Sequence, residues 1–123
     1  VNSILLVEDD PLVRRSLSRA LVRAGFHVVA AGSGEQALHL LEMLGGESLF
    51  RAVLSDYDLG DGIDGEHLIA EVKERYSAIS LFGMSGAPSN WDAANERGDV
   101  VGVWEKGYPL DTLLGMLTEE IGR

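Results

Sequence analysis

The sequence predicts an α/β fold, a doubly wound parallel sheet of five strands with five helices, and three observations carry that prediction. Short apolar runs of strand length alternate along the chain with longer stretches whose apolar residues recur at helical spacing. Runs such as Ser3-Ile4-Leu5-Leu6-Val7 are continuously apolar rather than alternating, as a strand covered on both faces requires. The stretches between them carry helix-start and helix-stop residues at the right places. Strand–helix alternation of this kind gives a parallel sheet with right-handed crossovers and helices on both faces.

The elements follow in order. Ser3-Ile4-Leu5-Leu6-Val7 ends in Glu8-Asp9-Asp10, and Asp10-Pro11 reads as an N-cap with proline at the first helical position. Val13, Leu17, Ala20, Leu21 and Ala24 form the apolar stripe of the first helix, which Gly25 closes. Residues 26–31 are the second strand. Ser33-Gly34-Glu35-Gln36 has the form of a capping box and opens a helix with Ala37, Leu38, Leu41 and Leu44 inward, stopped by Gly45-Gly46. Residues 51–55 form the third strand and lead into Asp56-Tyr57-Asp58 and the run Leu59-Gly60-Asp61-Gly62-Ile63-Asp64-Gly65.

Leu68, Ile69, Val72 and Tyr76 mark the third helix, and residues 79–84 are a fourth strand ending at Ser85-Gly86-Ala87-Pro88. Residues 89–98 have the weakest helical pattern, with Trp91, Ala93 and Ala94 to bury, and are expected to be a mobile helix because little burial holds them. Residues 100–105 form the fifth strand, ending at Lys106-Gly107-Tyr108-Pro109. Leu113, Leu114, Leu117 and Ile121 make the closing helix. No repeat or linker interrupts the series, so residues 1–123 are expected to be one domain.

Composition narrows the function. A net charge of −10 gives a surface that repels nucleic acid and anionic membrane, so neither is expected as a direct partner. Arg14, Arg15, Arg19 and Arg23 cluster on the first helix and are expected to be a solvated face. The absence of cysteine excludes disulfides, thiolate catalysis and Cys-based zinc sites. No apolar run approaches the ~18 residues of a membrane span, and no signal-peptide layout opens the chain. A cytoplasmic location is the expectation, and the start at Val1 rather than Met leaves two readings open, a stand-alone protein or a domain excised from something longer.

Four strands end in polar residues: Glu8 and Asp9, Asp56, Ser85, and Lys106. Ligands of open parallel sheets sit at the carboxyl ends of the strands, where the winding direction reverses. Carboxylates gathered in one crevice raise each other's pKa unless a cation joins them, and oxygen-only ligands select a hard ion such as Mg2+. Lys106 adds a second positive charge, Ser85 a hydroxyl, and Gly86 an accessible backbone N–H. Together these are the parts of a site for a transferring phosphoryl group. The alternative for Asp56 alone is a turn or helix-cap aspartate.

Along essentially its whole length the chain resembles the receiver domain of two-component response regulators. The acidic pair Glu8-Asp9, then Asp56, Ser85 and Lys106, fall in that family's order on alternating strands. The resemblance implies the flavodoxin-like strand order 2-1-3-4-5. It implies that Asp56 is the phosphoacceptor, taking a phosphoryl group from the phosphohistidine of a histidine kinase or a histidine phosphotransfer protein. It further implies Mg2+ bound at Asp56, by Asp9 directly, by Glu8 through water and by the Asp58 carbonyl, with Ser85 and Lys106 on the phosphoryl oxygens. Such a domain is a signalling switch rather than an enzyme. It signals to a downstream protein partner or output domain, with a phosphorylation-dependent dimer as one outcome.

Several positions depart from the family pattern. Gly107 stands where proline usually follows the lysine, so a trans or differently bent loop is expected. Gly60 replaces a common proline, and Asp64-Gly65 lies one residue further along than usual, changes expected to loosen that loop. Val103 occupies the usual aromatic switch position, and Trp104 cannot replace it because a one-residue slip turns it to the other sheet face. Asp58 adds a carboxylate two residues after the acceptor, expected to alter the lifetime of the phosphorylated state by repelling water or competing for metal.

Three competing readings are distinguishable. Gly32-Ser33-Gly34-Glu35-Gln36-Ala37 matches a G-x-G-x-x-A nucleotide fingerprint but leaves Glu8, Asp9, Ser85 and Lys106 without a role. Asp56-Tyr57-Asp58 resembles the Asp-x-Asp nucleophile of haloacid-dehalogenase-type phosphatases, which place it after their first strand rather than their third. A degenerate receiver acting as a protein-binding module without phosphorylation is the third, kept open by Gly107 and Val103. His27, His39 and His67 lack ligand spacing, and Trp91 and Trp104 read as packing residues.

Overall fold

The computed structural model describes residues 3–122; of the domain expected over 1–123, residues 1, 2 and 123 lie outside the described residues. Parallel strands β1 (Ser3–Val7), β2 (His27–Ala31), β3 (Phe50–Asp56), β4 (Ser80–Ser85) and β5 (Gly102–Glu105) form one sheet in the order β2-β1-β3-β4-β5. The helices are α1 (Pro11–Arg23), α2 (Gly34–Leu44), α3 (Gly65–Arg75), α4 (Asp92–Glu96) and α5 (Leu110–Ile121). The order confirms the expected topology, and winding reverses between β1 and β3.

The continuous apolar run of β1 is buried on both faces, whereas the edge strand β2 is partly exposed. All five residues of β1 are buried. Ile4 and Leu6 pack in one core layer with Leu17 and Leu21 of α1 and Leu113 and Leu117 of α5. Leu5 and Val7, alternate along the same strand, pack with Ala37, Leu41, Leu68, Ile69 and Trp91 on the other side. Val103 leans on this second layer and Trp104 on the first, where its indole N–H donates to Thr112 Oγ1 at 2.9 Å. The two residues do face opposite ways.

The caps form largely as expected. Asp10 Oδ1 accepts from the amides of Leu12 at 2.9 Å and Val13 at 3.3 Å, with Pro11 next in line. Ser33 Oγ accepts from the Gln36 amide, but the Gln36 side chain reaches back to the Gly32 N–H at 2.7 Å rather than to Ser33. The box is therefore closed one residue early. Leu44, expected inward, is 43% exposed, because α2 ends there in a left-handed Gly45 and the chain leaves through a 3-10 turn at Gly46–Ser48.

Residues 89–98 also differ from the single helix expected. A 3-10 turn at Pro88–Trp91 precedes the five-residue α4. Trp91 and Ala94 share the inner face at i, i+3, which turns Ala93 out to solvent. Burial is concentrated in Trp91, whose indole N–H donates to the Met84 carbonyl at 3.0 Å and whose ring lies on Gly83. A Cβ at Gly83 would sit 2.4 Å from the indole. Among the described residues, no helix is long and apolar enough to cross a membrane.

Candidate functional site

β1, β3 and β5 deliver Glu8, Asp56 and Lys106 to one edge of the sheet, and the three side chains meet. Lys106 Nζ donates to Asp56 Oδ2 at 2.8 Å and to Glu8 Oε1 at 2.5 Å. Glu8 is 1% exposed and Asp56 8%. The second Glu8 oxygen accepts the Asp10 N–H at 3.2 Å. Burial pushes the Glu8 carboxyl above its ordinary range, and the bonds from Lys106 and Asp10 offset this only in part. For Lys106, burial acts to lower the pKa, but the hydrogen bonds and charges of Asp56 and Glu8 outweigh it and leave it raised. The ammonium is held charged.

Asp9 is exposed at the rim of this cluster. Glu8, Asp9 and Asp56 each offer a carboxylate oxygen, and these oxygens all lie within 4.8 Å of one another. Three carboxylates against one lysine leave excess negative charge, and an all-oxygen set of that kind suits a hard divalent cation. Both Glu8 oxygens already have partners, whereas Asp56 Oδ1 takes no hydrogen bond among the described residues. Asp9 and Asp56 thus have the ligand capacity that Glu8 has largely spent.

Ser85, at the end of β4, is 5% exposed and neighbours Asp56 through the Asp56–Met84 register pair. Its Oγ accepts from the Ala87 N–H at 3.0 Å and from Asn90 Nδ2 at 3.2 Å. Gly86 next to it is exposed, and a Cβ there would meet nothing within 4 Å. The Asp58 carboxylate is exposed and accepts the Gly60 N–H at 3.0 Å, an Asx turn that keeps it out of the three-carboxylate cluster.

The loop after β3 is held at several points rather than loose. Gly60 has φ +72, which proline cannot adopt, and a Cβ there would lie 3.1 Å from Asp9 Oδ2. The Glu35 carboxylate accepts the Ile63 N–H at 3.0 Å, and that bond holds its pKa below the usual range. The Gly65 N–H donates to the Tyr57 carbonyl at 2.8 Å, and a Cβ on Gly65 would fall 2.1 Å from the Asp56 carbonyl oxygen. After β5 no peptide is cis, and Gly107 has φ +97, in keeping with the loss of proline there.

Some residues of the site escaped sequence reasoning. Arg14 reaches back from α1 to the carbonyls of Glu8 at 2.8 Å and Asp9 at 3.4 Å, bracing the acidic turn. Asn90 and Glu35 likewise act across loops. Their only local signal is a polar residue beside a turn, which is too common to select them. Tyr57 is half-buried, edge-on to Trp91 at 5.4 Å, with its hydroxyl on Glu66 at 3.3 Å. The G-x-G-x-x-A stretch is filled by its own side chains: Gly34 packs on Ile63, and Glu35 and Gln36 take up backbone amides. An apolar groove of about 390 Å³, lined by Leu12, Leu17, Trp104 and Gly107 among others, borders Lys106.

Comparison with known proteins agrees with this geometry. The family profile described as "Response regulator receiver domain" matches residues 4–116. The chain is 39% identical over 82 residues to the sensor protein TorS of Escherichia coli, covering 67% of this chain and 8% of that protein. It is 34% identical over 118 residues to the sensor kinase CckA of Brucella abortus, covering 95% of this chain and 12% of the kinase. The chain thus spans only a small part of these relatives. Its fold is similar to the response regulator protein TrrA of Thermotoga maritima, solved in complex with Mg(2+)-BeF, with a TM-score of 0.85 at 20% identity over 98% of this chain and 100% of that one.

Proposed function

The chain belongs to the response regulator receiver domain family, and from that premise we propose that residues 1–123 are one receiver domain whose Asp56 accepts a phosphoryl group. The observation that carries the proposal is the cluster itself: Lys106 Nζ is 2.8 Å from Asp56 Oδ2, and Asp9 and Glu8 crowd the same acceptor. Asp56 Oδ1 attacks phosphorus in a phosphohistidine, the P–N bond breaks, and its electron pair returns to the imidazole nitrogen. Lys106 neutralises charge on the transferring group, and Ser85 donates a hydrogen bond to it.

Asp9 and Asp56 would ligate Mg2+, with Glu8 acting through water and the Asp58 carbonyl as a further ligand. Both Glu8 oxygens already have protein partners, which supports the water-mediated role. The ion, when bound, would screen the carboxylates from the incoming phosphoryl oxygens. The apolar groove beside Lys106 is a fitting place for the phosphodonor, a histidine kinase or histidine phosphotransfer protein. Phosphorylation switches a protein-interaction surface around α4, β5 and α5 toward a downstream partner, output domain or second copy. The domain works as a cytoplasmic switch, with hydrolysis of its own aspartyl phosphate as its reset.

Mass spectrometry after incubation with acetyl phosphate and Mg2+ tests this. One added phosphoryl group, lost in Asp56→Asn, is expected. No gain at all would indicate a phosphorylation-independent binding module, and steady turnover of a phosphomonoester would indicate an Asp-x-Asp phosphatase.

A further inference from the structure

Asn90 is one of two donors that hold the Ser85 hydroxyl. It sits exposed on the 3-10 turn Pro88–Trp91 and donates through Nδ2 to Ser85 Oγ at 3.2 Å. The Ala87 N–H donates to the same oxygen at 3.0 Å. A hydroxyl group has two lone pairs and one proton. With both lone pairs filled from the turn, the proton is the only hydrogen-bonding capacity Ser85 keeps. Among the described residues no acceptor takes it. Phosphoryl oxygens are acceptors.

Resting on the reading of Asp56 as phosphoacceptor, we propose that Asn90 is a positioning residue that commits the Ser85 hydroxyl to donate toward the phosphoryl group. The amide chemistry is what matters. A carboxylate of the same shape offers acceptors alone, so Asn90→Asp draws the Ser85 proton back into the turn. Asn90→Ala leaves the hydroxyl free to rotate. A packing role gives the opposite ranking, with the isosteric acid milder than alanine. Neither change removes an anchor of the turn, because Trp91 is fully buried and holds it through the Met84 carbonyl.

The test measures phosphorylation rate with acetyl phosphate and Mg2+, and beryllofluoride affinity with Mg2+ by intrinsic tryptophan fluorescence. Both are read in the native chain, Asn90→Asp and Asn90→Ala, each with and without Ser85→Ala. Asn90→Asp is expected to lose about ten-fold and Asn90→Ala about two- to five-fold, the scale of one hydrogen bond to a charged group. Both losses should vanish once Ser85 is alanine. A loss of full size that persists with Ser85→Ala marks simple charge repulsion and overturns the inference, as does Asn90→Ala impaired more than Asn90→Asp, or Asn90→Asp behaving as native. If the native chain takes neither phosphoryl nor beryllofluoride, the reading of Asp56 itself fails, and this inference with it.

Discussion

The loops on either side of the acceptor are built in opposite ways. After β3, glycine backbone is pressed onto its surroundings: Gly60 over Asp9, Gly62 over Glu35 and Gly65 over the Asp56 carbonyl. After β4 and β5, Gly86 and Gly107 touch nothing within the reach of a Cβ. The first loop is held by many short contacts at the point where the acceptor and the acidic pair need fixed geometry. The second region hangs chiefly on Trp91, with only the small Ala94 beside it on the inner face, which leaves room for rearrangement beside Ser85 and Lys106. On the proposed reading, a site that holds a reactive carboxylate and responds to its modification would divide these tasks between its two flanks.

Removing the main anchor should have the largest effect. Trp91→Ala is expected to cost about 3–5 kcal/mol, as for other fully buried tryptophans, read as a fall in the urea midpoint at unchanged slope. A loss under 1 kcal/mol would show that the open flank is held elsewhere. Gly65→Ala comes next, at about 1–3 kcal/mol or more from overpacking onto the Asp56 backbone. It should also slow phosphorylation, because the acceptor is displaced, and an unaffected rate would refute the positioning role of that contact.

Gly107→Pro is expected to cost at least about 1 kcal/mol, since φ +97 is closed to proline, and to weaken the approach of Lys106 to Asp56. By contrast, Gly86→Ala meets open space at ordinary φ and should stay within about 0.5 kcal/mol of native; a larger loss would mean the second flank is not open.

A modest effect is also expected at the clasp between α3 and the segment after α4. Arg97 pairs with Glu66 at 2.8 Å and Asp99 at 3.0 Å, and Lys73 pairs with Asp99 at 3.2 Å. Burial acts to raise the Asp99 carboxyl, but the bonds from Arg97 and Lys73 outweigh it and set it below its ordinary 3.8. A lowered acid pKa contributes stability that is complete above the unfolded value and is lost as pH falls through the folded one. Asp99→Asn should therefore cost up to about 1 kcal/mol at neutral pH and flatten the stability profile below pH 3.8. A profile identical to native would remove the clasp as a contributor.

Much of this was legible in the residues themselves. A strand buried on both faces must be apolar throughout, and a helix must start and stop where its unpaired amides and carbonyls are met. For these reasons β1, the Asp10-Pro11 cap and the Gly25 and Gly45 stops could be read locally. The acidic, hydroxyl and lysine strand endings were legible too, because polar groups that close apolar runs have little reason to be there for packing.

What only the tertiary structure decided depends on residues far apart in the chain. The pairing of Lys106 with Asp56 and Glu8 joins positions 50 and 98 residues apart, and it exists because β1, β3 and β5 run parallel with their ends on one side. The seat of Trp91 on Gly83 turned a weak helical pattern into a short turn with one deep anchor. The contact of Gly65 with the Asp56 carbonyl and the bond from Asn90 to Ser85 were hidden for a related reason. Local periodicity specifies which face of an element is buried, whereas the distance between two loops is set only when the sheet assembles.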